Sequence, residues 1–485
     1  MTARAVMVLG CTSDAGKSWI STALCRWYAR QGLVVRPFKA QNMSNHARVV
    51  ALADGTAGEI GSAQYFQALA ARATPDVRMN PVLLKPEADT RSQVVLLGQV
   101  RPDLTTMPWR ERSALLWPTA RSALQALQAE CDVLVIEGAG SPAEINLAAN
   151  DYVNTGTALA SQAACLLVSD IDRGGAFAHL YGTHALMDAQ VRAQVRGFVL
   201  NRFRGDASLL APGPQLLQQR TGVPTLAVIP LLRNHGLPEE DAVPDDSAGQ
   251  GGPRVVVLSP PHASNLDEFE PLRAAGVALQ FSRSAALVRQ ADWLILPGSK
   301  HTQADLAWLR ATGLDAAIHA HARAGKPLLA VCGGLQLLGR LIDDPLGLEG
   351  GQPGQSTGLG LLPLRTRFEA TKQLTRVQHH LAGLHGPWAP LAGQVVAGYE
   401  IHHGISQPDA AGDPLAPAFA NAPHLGWQRG AVLAVYLHGL FENPAVVQAL
   451  FGRRPPPLDA VFDRLADSVD QHFNPGALMA LLKAP

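Results

Sequence analysis

A glycine-rich loop near the start of the chain lies between an apolar strand and a helix. Residues 5–9 (AVMVL) are apolar, residues 10–18 (GCTSDAGKS) form the loop, and an amphipathic stretch continues to about Gln31. A strand that enters a helix through such a loop presents backbone N–H groups at the helix N-terminus, where a phosphate can bind. The pattern predicts a parallel sheet with a phosphate site at the carboxyl end of its first strand.

Two side chains of this loop suit phosphate chemistry. Lys17 can reach the phosphate charge, and the Ser18 hydroxyl can ligate Mg²⁺. Five residues separate the two glycines of the loop, one more than in the standard pattern, and this spacing resembles dethiobiotin synthetase and its relatives. The resemblance implies ATP as a cofactor and activation of a carboxylate. The predicted ATP-binding residues of the loop are Gly10, Thr12, Asp14, Gly16, Lys17 and Ser18.

Further apolar runs alternate with helical stretches, which predicts a doubly wound parallel sheet with ligands at the carboxyl ends of its strands. Glu137 ends one such run and precedes Gly-Ala-Gly-Ser, so it is predicted to hold Mg²⁺ or its water, with Asp54 as a second candidate. The runs lie at 33–38, 132–137, 164–170, 198–200 and 225–230.

Lysine is scarce in this sequence. Only seven of the 40 basic residues are lysine, and before residue 250 they are Lys17, Lys39 and Lys85 alone. Because an ammonium and a guanidinium are not interchangeable, each of the three is expected to have a positional role. Lys39 and Lys85 each follow an apolar run, so both are predicted to neutralise the transferring phosphate together with Lys17.

A cysteine follows the apolar run at 328–331 (LLAV). Cys332 precedes two glycines and a Leu-x-Leu-Leu pattern, which predicts a strand, a sharp turn carrying the thiol, and a helix. A cysteine nucleophile needs a base from elsewhere in the chain, and His438 is the candidate. These residues resemble the class I glutamine amidotransferase domain. The resemblance implies Cys332 as nucleophile, His438 as base, and oxyanion-binding amides near Gly298 and Gly333.

The third member of that catalytic set is missing from its usual place. Class I domains carry a glutamate two residues after the histidine, and here that position is Leu440. Glu442 lies two residues further on, but the proline that follows Asn443 predicts a turn at this point. We therefore expect a Cys332–His438 dyad in which a backbone or non-carboxylate group holds the histidine.

Taken together, motifs along almost the whole chain resemble the cobyric acid synthase family. The resemblance implies amidation of four side chains (b, d, e and g) of adenosylcobyrinic acid a,c-diamide with glutamine and ATP, through acyl phosphates. Gln41, Asn42, Arg173 and Arg202 follow predicted strands and are the candidates for binding this substrate, with an ordinary polar loop or solvated strand ends as the alternative interpretations. The related a,c-diamide synthases, and a partitioning-type ATPase with an inactive amidotransferase module, are the alternatives. The supporting segments are 38–43, 80–86, 137–147, 170–175 and 201–206.

Length and composition limit the domain organisation, the partners and the location that we expect for this chain. With 485 residues, the chain is predicted to form an α/β protein with an N-terminal P-loop domain (1–232), a linker (233–253), a class I amidotransferase-like domain (254–450) and a helical tail (451–485). A formal net charge of zero gives no indication of a basic surface that would bind nucleic acid. Five scattered cysteines and no long apolar run predict a cytoplasmic protein without a membrane segment.

Overall fold

The computed structural model describes residues 3–88, 91–232, 235–237, 252–349, 352–409 and 414–483. Most of the predicted linker lies outside these residues. The strands of the first half are β1 (Arg4–Gly10), β2 (Val35–Phe38), β3 (Gln41–Met43), β4 (Ala47–Ala51), β5 (Ala57–Gly61), β6 (Val82–Ala88), β7 (Arg91–Leu96), β8 (Gln99–Val100), β9 (Val133–Glu137), β10 (Ala164–Asp170), β11 (Val195–Phe203) and β12 (Thr225–Pro230). Its helices are α1 (Lys17–Arg30), α2 (Ser62–Ala70), α3 (Pro102–Thr105), α4 (Trp109–Ala129), α5 (Thr157–Ser161), α6 (Ala176–Leu186), α7 (Ala189–Arg192) and α8 (Gly213–Thr221).

Six strands of this half form one parallel sheet in the order β12-β11-β10-β1-β9-β2. The central strand β1 is buried from its second residue onward, which agrees with its uninterrupted apolar sequence. Each of the five apolar runs that predicted further strands contributes a strand to this sheet. The predicted doubly wound parallel sheet is confirmed.

Residues 41–100 depart from that simple alternation. Strands β3, β6, β7 and β8 form a separate four-stranded sheet, and β4 pairs with β5 as an antiparallel hairpin. These strands join the first half of the chain to the second half, because the β4–β5 hairpin contacts the long strand β21 (Leu364–His380). This four-stranded sheet and the β4–β5 hairpin were not predicted from the sequence.

The second half contains a seven-stranded sheet in the order β15-β13-β16-β18-β25-β24-β23, with five parallel strands and two antiparallel strands at one edge. The remaining strands are β13 (Arg254–Leu258), β14 (Ala263–Ser264), β15 (Ala278–Ser282), β16 (Trp293–Leu296), β17 (Gly298–Ser299), β18 (Leu328–Val331), β19 (Leu341–Asp344), β20 (Gly354–Thr357), β22 (Val395–Pro408), β23 (Ala416–Pro417), β24 (Gly426–Arg429) and β25 (Val432–Val435). The helices are α9 (Glu270–Ala274), α10 (Ala285–Gln290), α11 (Thr302–Ala311), α12 (Leu314–Arg323), α13 (Gly333–Leu338), α14 (Pro444–Phe451), α15 (Leu458–His472) and α16 (Ala477–Ala480).

Helices α15 and α16 pack on the first half of the chain, although they follow the amidotransferase domain in sequence. Val461 and Phe462 of α15 belong to the same apolar core as β1 and α1. The buried Arg26 of α1 pairs with Asp459 at 2.6 Å and with Asp463 at 2.8 Å. Helix α15 therefore closes the core around the first parallel sheet.

Two candidate active sites

The phosphate loop follows β1 and curls around the side chain of Lys17. The Lys17 Nζ donates to the carbonyl oxygen of Thr12 at 3.0 Å and to that of Gly140 at 3.3 Å. Gly16 has φ 94°, and a Cβ at this position would lie 2.1 Å from the Asn201 amide nitrogen. Glycine is therefore required here both for the backbone conformation and for the close approach.

Glu137 ends β9 beside this loop and is buried. Its carboxylate accepts hydrogen bonds from the Ser18 hydroxyl at 2.8 Å, the Lys39 ammonium at 2.8 Å and the Gln67 amide at 2.5 Å. Burial alone would raise the pKa of Glu137, but the adjacent Lys39 ammonium holds that pKa below its usual value. An ionised carboxylate next to a hydroxyl fits Mg²⁺, which binds through one or two carboxylates together with phosphate oxygens.

A cavity of about 480 Å³ opens over the loop. It brings together ten of the residues predicted for ATP, metal or substrate, while Gly10 and Thr12 shape the loop behind it. Arg202 pairs with Asp170 at 3.1 Å and Arg173 pairs with Asp14 at 3.4 Å, which orders both guanidinium groups at the rim. The ten residues are Asp14, Gly16, Lys17, Ser18, Lys39, Gln41, Asn42, Glu137, Arg173 and Arg202.

Two predicted residues of this site lie elsewhere. Asp54 is exposed in the β4–β5 turn, where its carboxylate accepts from the Thr56 backbone at 2.9 Å and hydroxyl at 2.6 Å, so the structure does not bring it to the predicted metal site. Lys85 is buried against Glu59 in a different cavity, which Cys332 also lines, so the structure does not bring it to the predicted ATP site. Both placements have one cause: β4, β5 and β6 lie outside the main parallel sheet, so their ends do not meet at the phosphate edge.

Cys332 lies between β18 and α13, as the pattern predicted. Its backbone has φ 50° and ψ −108°, an unfavourable conformation for a residue with a side chain, of the kind found at nucleophile elbows. A Cβ on Gly333 would lie 2.5 Å from the Ser299 backbone nitrogen, so glycine is needed where the turn meets the loop after β16. The thiol is held on a tight turn against that loop.

The structure corrects the expected dyad. The Glu268 carboxylate lies 2.8 Å from Nδ1 of His438 and also accepts the Gly439 N–H at 2.7 Å. Glu268 is buried on the 3₁₀ turn Leu266–Phe269, which packs beside the histidine although it lies 170 positions earlier in the chain. The expectation of a non-carboxylate contact is wrong, because this carboxylate comes from a different element. The sequence around Glu268 offers only the acidic pair Asp267-Glu268, and similar acidic runs occur at 239–241 and 343–344, so it did not single out this residue.

His438 is fully enclosed by this arrangement. Its ring stacks on Tyr399 with centroids 5.2 Å apart. Burial would lower the pKa of His438, but the Glu268 carboxylate and the contact with Cys332 raise it to about 10. A Cβ on Gly298 would lie 3.2 Å from the histidine Cε1, so the predicted oxyanion loop also borders the ring. Cys332, His438, Glu268 and Gly298 thus form one compact site.

Arg48 connects this site to the first half of the chain. It is buried, and its guanidinium pairs with both Asp267 and Glu442. It also lies 5.3 Å from the ring centroid of Tyr399, the residue that stacks on His438. Glu442 is therefore engaged in the contact between the two halves and does not orient the histidine. The positive charge of Arg48 offsets the free-energy cost of burying the carboxylates of Asp267 and Glu442.

Comparisons with known proteins identify two domains, one in each half of the chain. Residues 6–241 match the CobQ/CobB/MinD/ParA nucleotide binding domain, and residues 254–446 match the CobB/CobQ-like glutamine amidotransferase domain. A cobyric acid synthase of Methylibium petroleiphilum is 62% identical, with 99% of this chain and 97% of the relative covered. Those of Leptothrix cholodnii (61%; 99% and 97% covered) and Variovorax paradoxus (60%; 99% and 100% covered) are similarly close.

Within the described residues, no helix has both the length and the apolar character that crossing a bilayer requires.

The fold, the two sites and these relatives lead to one assignment. This chain belongs to the cobyric acid synthase family of glutamine-dependent amidoligases, which act in cobalamin biosynthesis.

Proposed function

We propose that this enzyme amidates the b, d, e and g carboxylates of adenosylcobyrinic acid a,c-diamide, using ATP in the first site and glutamine in the second. One observation carries the proposal: a single chain contains a phosphate-loop cavity with an ionised Glu137 and a separate Cys332–His438–Glu268 site. An enzyme that makes ammonia at one site needs an activated acceptor at another. The proposed boundaries are 1–232 for the synthetase domain and 254–450 for the amidotransferase domain, with 451–485 as a helical tail.

In the proposed first reaction, a substrate carboxylate attacks the γ-phosphoryl group of ATP, giving an acyl phosphate and ADP. Lys17 and Lys39 stabilise the charge on the transferring group, and positioning supplies most of the catalysis. Mg²⁺ would be held by Ser18 and Glu137 and would neutralise phosphate charge. Arg173 and Arg202 face the same cavity, where they can bind the acidic side chains of the corrinoid.

In the proposed second reaction, the Cys332 thiolate attacks the side-chain amide carbon of glutamine. Backbone amides near Gly298 and Gly333 stabilise the oxyanion. His438, whose pKa is raised to about 10, carries a second proton near neutral pH and gives it to the departing ammonia. Water then releases glutamate from the thioester. The ammonia attacks the acyl phosphate and displaces phosphate, which completes the amide.

Glutamine hydrolysis and ATP hydrolysis, measured with and without the corrinoid, test this proposal. We expect corrinoid-dependent ADP formation and one glutamate per amide formed. If ATP were consumed without the corrinoid and no amide appeared, the synthetase assignment would fail.

Replacing Glu268 with glutamine is expected to reduce glutamine-dependent turnover by about a hundredfold. The loss should be smaller than the ten-thousandfold drop of serine systems, because a cysteine is already a strong nucleophile. Turnover with ammonium should persist. Glu442→Gln is the matched control, since Glu442 pairs with Arg48 and not with His438, and it should change turnover by less than about tenfold. Equal losses in the two variants would contradict the triad.

A further inference from the structure

A cluster of lysines lies in the cavity that Cys332 lines. Lys85, Lys300 and Lys372 all border this cavity, although the chain has only seven lysines in 485 residues. Lys300 and Lys372 come from the amidotransferase half, whereas Lys85 comes from β6 of the P-loop half. A compact ammonium suits recognition of a small anion in a confined cavity. Three of the seven lysines thus line the cavity that contains the thiol, and this concentration indicates that the cluster has a function.

The carboxylates of this cluster leave its positive charge incompletely paired. Glu59 is buried and is shared, since Lys85 contacts one of its oxygens and Lys372 contacts the other at 2.6 Å. Lys300 has a longer contact of 3.6 Å with Glu87. Two ammonium groups thus share one carboxylate, and among the described residues the ion pair of the third, Lys300 with Glu87, is a long one. An added carboxylate would complete the pairing.

The pKa values of Lys85 and Glu349 support the conclusion that this cavity can accept an added negative charge. Burial lowers the pKa of Lys85 to about 7, and the attraction of Glu59 opposes that shift only in part. Burial also raises the pKa of Glu349, another lining residue, to about 8. At neutral pH Glu349 is therefore mainly uncharged and does not neutralise the lysines. An anion bound beside Lys85 would favour its charged form.

From this arrangement we infer that Lys85 of the P-loop domain completes the glutamine site by binding the α-carboxylate of glutamine, together with Lys300 and Lys372. The inference rests on the proposed role of Cys332 in attacking the glutamine side chain. The same cavity holds the nucleophile and the lysines, so one glutamine can present its amide to the thiol and its carboxylate to the ammonium groups. The glutamine site then includes a residue from each domain.

The small sheet that carries Lys85 also borders the first site. Strand β3, which contains Gln41 and Asn42 of the ATP cavity, pairs in parallel with β6. The two cavities are thus lined from neighbouring strands of one sheet. A glutamine bound to Lys85 would contact the same sheet that borders the nucleotide, so glutamine binding involves the P-loop domain directly.

The test is Lys85→Met, assayed for glutaminase activity over a range of glutamine concentrations. We expect the KM for glutamine to rise about tenfold to a hundredfold, as for loss of a hydrogen bond to a charged group, with a much smaller change in kcat. Lys326→Met is the matched control, because the Lys326 ammonium binds the carbonyl oxygen of Ala291 outside this cavity. Circular dichroism and thermal melting report whether the variant is folded.

A second substrate identifies the group that Lys85 recognises. 4-Aminobutanamide is glutamine without its α-carboxylate, so the wild-type enzyme should prefer glutamine strongly. In Lys85→Met this preference should shrink by the same factor as the KM rises. An unchanged preference would overturn the inference even if the KM increased.

Two further outcomes separate this inference from the proposed function. If Lys85→Met keeps its KM for glutamine but loses ammonium-dependent synthesis, Lys85 serves phosphate chemistry and the inference is wrong. If Cys332→Ala retains glutamine hydrolysis, the proposed function itself fails. Ammonium-dependent synthesis bypasses the glutamine site, so it gives the reference for both variants.

Discussion

Glutamine-dependent amidation is expected to fall by more than about a thousandfold when Cys332 is replaced with alanine, whereas amidation with a high ammonium concentration should continue. Cys332 is the only cysteine among the described residues that line its cavity, so the variant loses the thiol nucleophile. The residues proposed to activate the carboxylate line a different cavity. The measurement is amide formation with each nitrogen source, followed under otherwise identical conditions.

The control for this variant is Cys131→Ala. Cys131 is half-buried just before β9 in the first domain and lines neither of the two cavities. It should behave as wild type with both nitrogen sources. If folded Cys332→Ala protein also lost its ammonium-dependent activity, the separation of the two sites would be refuted.

Lys17→Ala is expected to reduce amide formation by about a thousandfold or more with either nitrogen source. The substitution removes a positive charge at the proposed position of the transferring phosphoryl group. Glu137→Ala should have a comparable effect, because it removes the carboxylate that organises Ser18 and Lys39. The measurement is ADP and amide release with glutamine and, separately, with ammonium.

Glutaminase activity provides the internal control for these two variants. The triad lies in the other domain, so glutamine hydrolysis without corrinoid should remain measurable. Ammonium-supported amidation near the wild-type rate in either variant would contradict the assignment of the phosphate site.

The sequence predicted those parts of the structure that depend on local patterns. Strands β1, β9 and β10 were recognisable because parallel strands buried on both faces are continuous apolar runs. The turns carrying Lys17 and Cys332 were recognisable because their glycines stand at fixed offsets. These patterns are sufficient for the main parallel sheet of the first half and for the two glycine turns.

Contacts between distant segments could not be predicted in this way. Glu268 reaches His438 across 170 positions, and no spacing rule relates the two. Lys85 follows an apolar run as predicted, but it lines the cavity of Cys332 and not the phosphate cavity, since a run does not reveal which sheet it joins. Arg48 reads as an ordinary polar residue until the packing of the second domain buries it. Tertiary packing, and not local propensity, decides all three.

The position of helix α15 has a consequence for how the chain is made. Synthesis proceeds from the N-terminus, yet the core around β1 is completed by Val461 and Phe462, which are synthesised after the amidotransferase domain. Until then, the buried guanidinium of Arg26 on α1 lacks its two ion-pair partners, Asp459 and Asp463. The amidotransferase domain is complete in sequence before α15 is made, so it can fold first. The core of the first domain can therefore be completed only after the whole amidotransferase domain has been synthesised.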